Sequence, residues 1–176
     1  MPFLILALAF TGCVSQYKVV VDFSPILRDH FIEYPTIEVD IAAVTEAEAD
    51  EVKQMGVENY FAPGSGIRSR LQSQTVFFYR EELHSFLLPS RAPIWNSWLQ
   101  KKPDTILVIA SLPHDPSMTA QADPRYLTVP MARSYIFARS IYIWVEPKRI
   151  TRVTRAATKK GDAQSTSSQQ WVETRR

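Results

Sequence analysis

The chain reads as a mainly β protein, a β-sandwich with two short helical insertions. Three observations carry that reading. Short segments rich in β-branched and aromatic residues recur with turn residues between them. Twelve prolines against five glycines punctuate the chain into brief elements. Only two stretches have helical spacing, whereas a doubly wound α/β sheet needs a helix after nearly every strand.

Taken in order, residues 17–23 (Tyr-Lys-Val-Val-Val-Asp-Phe) form a first strand dominated by β-branched side chains. Residues 24–35 are a proline-bounded loop. Residues 36–44 alternate, with Ile37, Val39 and Ile41 on one face and Glu38 and Asp40 on the other, as a half-buried strand requires. Thr45 and Glu48 match a capping box: the threonine hydroxyl can accept from the amide at 48 while the glutamate reaches back. The helix so started runs to about Met55, with Ala49, Val52 and Met55 at helical spacing. Gly56 is placed to close it in the left-handed conformation.

Residues 59–62 read as a short extended piece, and Pro63-Gly64-Ser65-Gly66 as a turn. Residues 75–80 are a strong strand signal. Phe77 and Phe78 there must face opposite sides, so one of them lies under a covering element or in an interface. Residues 93–102 form a second helix, with Pro93 in its first turn and Pro103 ending it. Ile94 and Trp98 share one face, as do Trp95 and Leu99. Residues 105–112 are the most apolar run and read as a central strand covered on both sides. Residues 113–124 are a polar loop. Residues 125–131 and 140–146 are further strands, and 150–153 a last short piece. From 154 to 176 Ala, Thr, Lys, Gln and Ser replace the apolar periodicity. That tail is expected to be disordered, with Trp171 as its one candidate anchor.

Composition excludes several functions. The formal net charge is +2, from 20 basic and 18 acidic residues mixed along the chain, which is not a nucleic-acid surface. A single cysteine allows neither an intrachain disulfide nor a cysteine-based metal cage. His30, His84 and His114 lack metal-ligand spacing. Pro63-Gly64-Ser65-Gly66 lacks the lysine and spacing of a phosphate loop, and it is not a nucleophile elbow. The carboxylates at 46–51 crowd a helix start, where they complement its dipole. The expectation is a protein that is not an enzyme, with no metal, no cofactor, no small-molecule substrate and no nucleic-acid partner.

The cysteine itself, Cys13, is the most informative residue. Residues 3–10 are apolar without interruption, Thr11 and Gly12 are small, and the thiol follows. This resembles a bacterial lipoprotein signal peptide and its cleavage box. Eight apolar residues are too few to span a bilayer, and a core strand would alternate. On this reading residues 1–12 are a leader, 13–153 the folded domain and 154–176 the tail. Acyl chains on Cys13 anchor the protein, each buried methylene adding about 0.8 kcal/mol. Val14 is not the aspartate that retains lipoproteins in the inner membrane, so outer-membrane sorting is expected, on the periplasmic face.

The order of elements after Cys13 carries a wider resemblance. A valine-rich strand, a proline-containing loop and the alternating strand at 37–41 come first. Thr-Ile-Leu-Val-Ile-Ala-Ser-Leu-Pro-His-Asp from 105, Arg-Tyr-Leu-Thr-Val-Pro from 125 and Ser-Ile-Tyr-Ile-Trp-Val-Glu from 140 follow. The layout over residues 13–153 resembles the outer-membrane lipoprotein family of the type VI secretion system. The resemblance implies a transthyretin-like sandwich that holds an inner-membrane component of the secretion complex through its loops. It also implies that the loop at 24–35 meets that partner, with Leu27, Phe31 and Tyr34 as anchors. Residues 56–103 have no counterpart in the pattern. Two other readings stay open: a lipid-tethered periplasmic ligand-binding or accessory module, and a cytosolic β-domain whose N-terminus is misread.

Overall fold

The structure, a computed structural model, describes residues 17–30, 36–79, 85–113, 123–131 and 139–153, with backbone only at 28–30 and 139. The leader, Cys13, Phe31, Tyr34, His84, His114 and the tail with Trp171 lie outside the described residues. Alternation sets the inner surfaces of two four-stranded sheets. In the first sheet β1 (Tyr17–Phe23) pairs antiparallel with β4 (Ser85–Leu88) and parallel with β7 (Arg139–Val145). β8 (Ile150–Val153) closes that sheet beyond β7. In the second sheet β2 (Ile37–Val44) lies between β3 (Gln74–Phe78) and β5 (Thr105–Ala110), with β6 (Tyr126–Pro130) beyond, all antiparallel.

The inward rows meet in one core. Val19, Val21, Ile141 and Ile143 from the first sheet face Val39, Ile41, Ile106 and Val108 from the second, all essentially without exposure. The rings of Phe23 on β1 and Phe78 on β3 pack at 4.9 Å between centroids. At the opposite flank the Ile150 amide donates to the Pro124 carbonyl (2.9 Å), joining the β8 side to the β6 side. The fold is the mainly β sandwich that the sequence predicts. β5 is buried along its whole length because helices cover its outer side.

The helical part is larger than two insertions. The described residues form five short helices: α1 (Pro25–His30), α2 (Glu46–Met55), α3 (Val57–Phe61), α4 (Gly66–Leu71) and α5 (Ile94–Gln100). α1 replaces the first part of the expected loop. Ser24 caps it, its Oγ accepting from the Leu27 amide at 3.1 Å, and Pro25 takes the first position. The expected extended piece at 59–62 is largely α3 instead. Neither α3 nor α4 is long enough to be stable alone. Each forms because it buries apolar side chains, Val57 and Tyr60 in one, Ile67 and Leu71 in the other.

α2 starts with the capping box as expected: the Glu48 carboxylate accepts from the Thr45 amide at 2.9 Å. Gly56 ends it with φ 83° and ψ 156°, a positive φ but not the left-handed helical pair, and the same residue opens α3. Only glycine takes that conformation without strain. β4 has no counterpart in the sequence reading. Four residues ending at Leu88, just before Pro89, are too brief for a periodicity signal, and its pairing with β1 defines it.

Candidate functional site

The outer face of the second sheet holds an aspartate where the alternation implied solvent. Asp40 on β2 is 1% exposed. α3 and α4, joined by the Pro-Gly turn, lay two side chains over it. The Tyr60 hydroxyl donates to Asp40 Oδ2 at 2.9 Å, and Arg68 Nε donates to the same oxygen at 2.8 Å. From the neighbouring strand Thr75 Oγ1 donates to Asp40 Oδ1 at 2.6 Å. Arg68 Nη2 also bonds Glu38, and the guanidinium stacks over Phe61 with its carbon 5.0 Å from the ring centroid.

This constellation is a latch. Both carboxylate oxygens of Asp40 are occupied by donors, so neither is available as a base or a metal ligand. Burial, and next the Asp40 charge, push the Tyr60 hydroxyl well above the ordinary tyrosine value, so it stays a donor. Burial opposes the charge of Arg68, but hydrogen bonds to Asp40 and Glu38 outweigh it and raise its pKa. An unpaired Asp40 would be a buried charge at several kcal/mol, so the sheet face and its helical cover require each other.

α5 tightens the same cover. Trp98 is fully buried and its Nε1 donates at 3.1 Å to the carbonyl of Gln72, which ends α4 in the left-handed conformation (φ 55°, ψ 48°). Lys101 Nζ donates to the Arg70 carbonyl at 2.9 Å. Two otherwise orphaned carbonyls at the end of α4 are thus satisfied from α5. Trp95 and Trp98 pack edge to face at 5.0 Å. A second clasp holds α3 to the other side of the sheet. Arg125, 4% exposed, is gripped by Asp123, donates to the Leu112 carbonyl at 3.1 Å, and pairs with Glu58 at 2.7 Å.

The residues expected to meet a partner are placed unevenly. Leu27 points inward and is fully buried in the core. The exposed apolar side chain of that turn is its neighbour Ile26, 61% exposed. One helical turn explains the exchange: an extended loop would leave both side chains accessible, whereas α1 turns Leu27 onto the sandwich. Of the aromatic pair on β3, Phe78 faces the core and Phe77 is 52% exposed. Leu87 on β4 is 48% exposed; it pairs with Val20 on the outer face of the first sheet, whereas Phe77 pairs with Glu38 on the outer face of the second. Among the described residues no group of three His, Cys, Asp or Glu could hold a metal ion, and no helix is long and apolar enough to cross a membrane.

The sequence reading missed the latch. Its signal was present as Asp40 in an otherwise apolar strand and the paired arginines at 68 and 70. Only the three-dimensional course of 56–73 brings Arg68 over Asp40.

No known family profile matches the sequence, and no curated protein matches it. Among solved structures, one similar to it is Serratia marcescens Lip, described as a membrane bound component of the Type VI Secretion System. The likeness covers 79% of this chain and 97% of Lip, at 12% identity and a TM-score of 0.49.

Proposed function

We propose that this chain is a lipoprotein anchored through Cys13 to the periplasmic face of the outer membrane, where it serves as a docking component of an envelope secretion complex, of the type VI kind, and binds an inner-membrane component of that complex. The observation that carries this reading is the apolar run at 3–10 ending in Thr11, Gly12 and Cys13. The structure adds a consequence. β1 begins at Tyr17, so only Val14, Ser15 and Gln16 separate the thiol from the first strand. Even fully extended, that tether spans about 14 Å. An acylated Cys13 therefore holds the sandwich close to the leaflet, and β1, in the middle of its sheet, transmits the tether to the whole body.

In this mechanism acyl chains supply location, the latched sandwich supplies rigidity, and exposed apolar side chains on connections supply specificity. Ile26, beside the β1–β2 connection, takes the anchoring role that Leu27 gives to the core. The experiment is fractionation of cells producing the full chain. The wild type is expected in the outer-membrane fraction and Cys13→Ser outside it. Ile26→Glu is expected to keep the membrane location while losing co-purification of an inner-membrane partner. A wild-type chain found wholly in the soluble cytoplasmic fraction contradicts the proposal.

A further inference from the structure

We propose that β3 is the contact through which two copies of this chain associate, by antiparallel pairing of β3 with its symmetry mate. The first observation is the direction of its backbone groups. In β2 the carbonyls of Glu38 and Val44 accept from Ser111 and Asp104, so the even-numbered residues bond toward β5. The odd-numbered ones therefore bond toward β3, where their partners are Phe78, Val76 and Gln74. That leaves the N–H and C=O groups of Thr75 and Phe77 pointing out of the sheet. Among the described residues, the Thr75 carbonyl receives the side-chain amide of its neighbour Gln74, at 3.2 Å.

The second observation is that β3, among the described residues, carries neither the charge nor the proline that blunts an edge. The other three edge strands each have one. β4 is four residues long and stops at Pro89, β6 ends on Pro130, and β8 carries Arg152. β3 reads Gln-Thr-Val-Phe-Phe, with no charge and no proline, and Phe77 stands exposed on its outer side.

The third is self-complementarity. A two-fold axis at Val76 sets Thr75 of each copy opposite Phe77 of the other. Those are the residues with outward backbone groups, so both pairs can exchange N–H and C=O and form four main-chain bonds. No like charges meet, and a threonine faces an aromatic ring on each side of the axis. A second copy is thus the occupant that the strand's own sequence fits, and the contact is isologous and closed. This inference does not depend on acylation of Cys13.

The test is sedimentation of the full chain in a nonionic detergent across a dilution series. The wild type is expected to pass from dimer to monomer on dilution. Phe77→Lys, at an exposed position, is expected to weaken association at least about tenfold while the melting temperature of the monomer, read at high dilution, is unchanged. Phe77→Glu alone behaves likewise. Mixing the two variants is expected to restore a dimer, because the two positions are diagonal neighbours across the axis. A wild type that is monomeric at every concentration overturns the proposal. So does association that is indifferent to Phe77→Lys, as contact through the apolar leader would be, or a mixture that fails to recover the dimer.

Discussion

The two sheets carry the same device and treat it differently. On the outer face of each, an aspartate in the second strand receives a hydroxyl from the edge strand. Ser85 bonds Asp22 in the first sheet, and Thr75 bonds Asp40 in the second. Across the first sheet the row reads Ser85, Asp22, Trp144, Thr151, and across the second Thr75, Asp40, Ile109, Tyr126. Among the described residues the helices pack on β2 and β5, so the second row lies under a roof of helices. Beneath it Asp40 gains Tyr60 and Arg68. The comparison shows what the inserted residues between β2 and β3 do. They turn the outer face over β2 and β5 into interior; Asp22 is also buried, at 6% exposure against 1% for Asp40, and what the roof brings to Asp40 is the Tyr60 and Arg68 donors.

Four changes break or sharpen that contrast. The largest effect is expected from Trp98→Ala, which empties the junction of α4, α5 and β2 and should cost about 3–5 kcal/mol in urea unfolding. Arg68→Met comes next. Removing one member of a largely buried pair should cost about 2–4 kcal/mol, the value discounted because Arg68 is a quarter exposed. A double-mutant cycle of Arg68→Met with Asp40→Asn should show coupling above about 1 kcal/mol.

Tyr126→Phe is smaller and carries a pH signature. Its hydroxyl donates to the Ala49 carbonyl of α2, so its loss should cost about 1 kcal/mol near neutral pH. Burial, and then Asp50, push the Tyr126 hydroxyl up to about 12. The unfolded chain loses that proton near pH 10. Between those values the native state binds more protons, so this contribution to stability is complete below pH 10 and is lost as pH rises. The deficit of Tyr126→Phe should therefore shrink in unfolding measured from pH 9 to 12. Leu87→Thr, half-exposed on the outer face of the first sheet, should change stability by no more than about 0.5 kcal/mol.

Legibility followed the range of the interactions. The β2 alternation, the Thr45–Glu48 box and the apolar run of β5 are local signals, and each appears where the sequence places it. The Ser24-Pro25 cap was equally local and marks α1, although the flanking prolines read as a loop. α3 and α4 were not legible in the same way, because single-turn helices owe their form to burial against a sheet that the local sequence does not contain. The latch was hidden for a related reason. Glu38 and Asp40 look like a solvent face until the chain returns at Arg68 to cover them. Leu27 shows the limit for candidate contacts: a residue type suited to anchoring a partner is also suited to filling a core, and one helical turn decides between them.

The most direct measurement is metabolic labelling with radioactive palmitate of the full chain and of Cys13→Ser. The account predicts label on the wild type and none on the variant. An unlabelled wild-type chain that retains residues 1–12 would contradict the membrane-anchored platform.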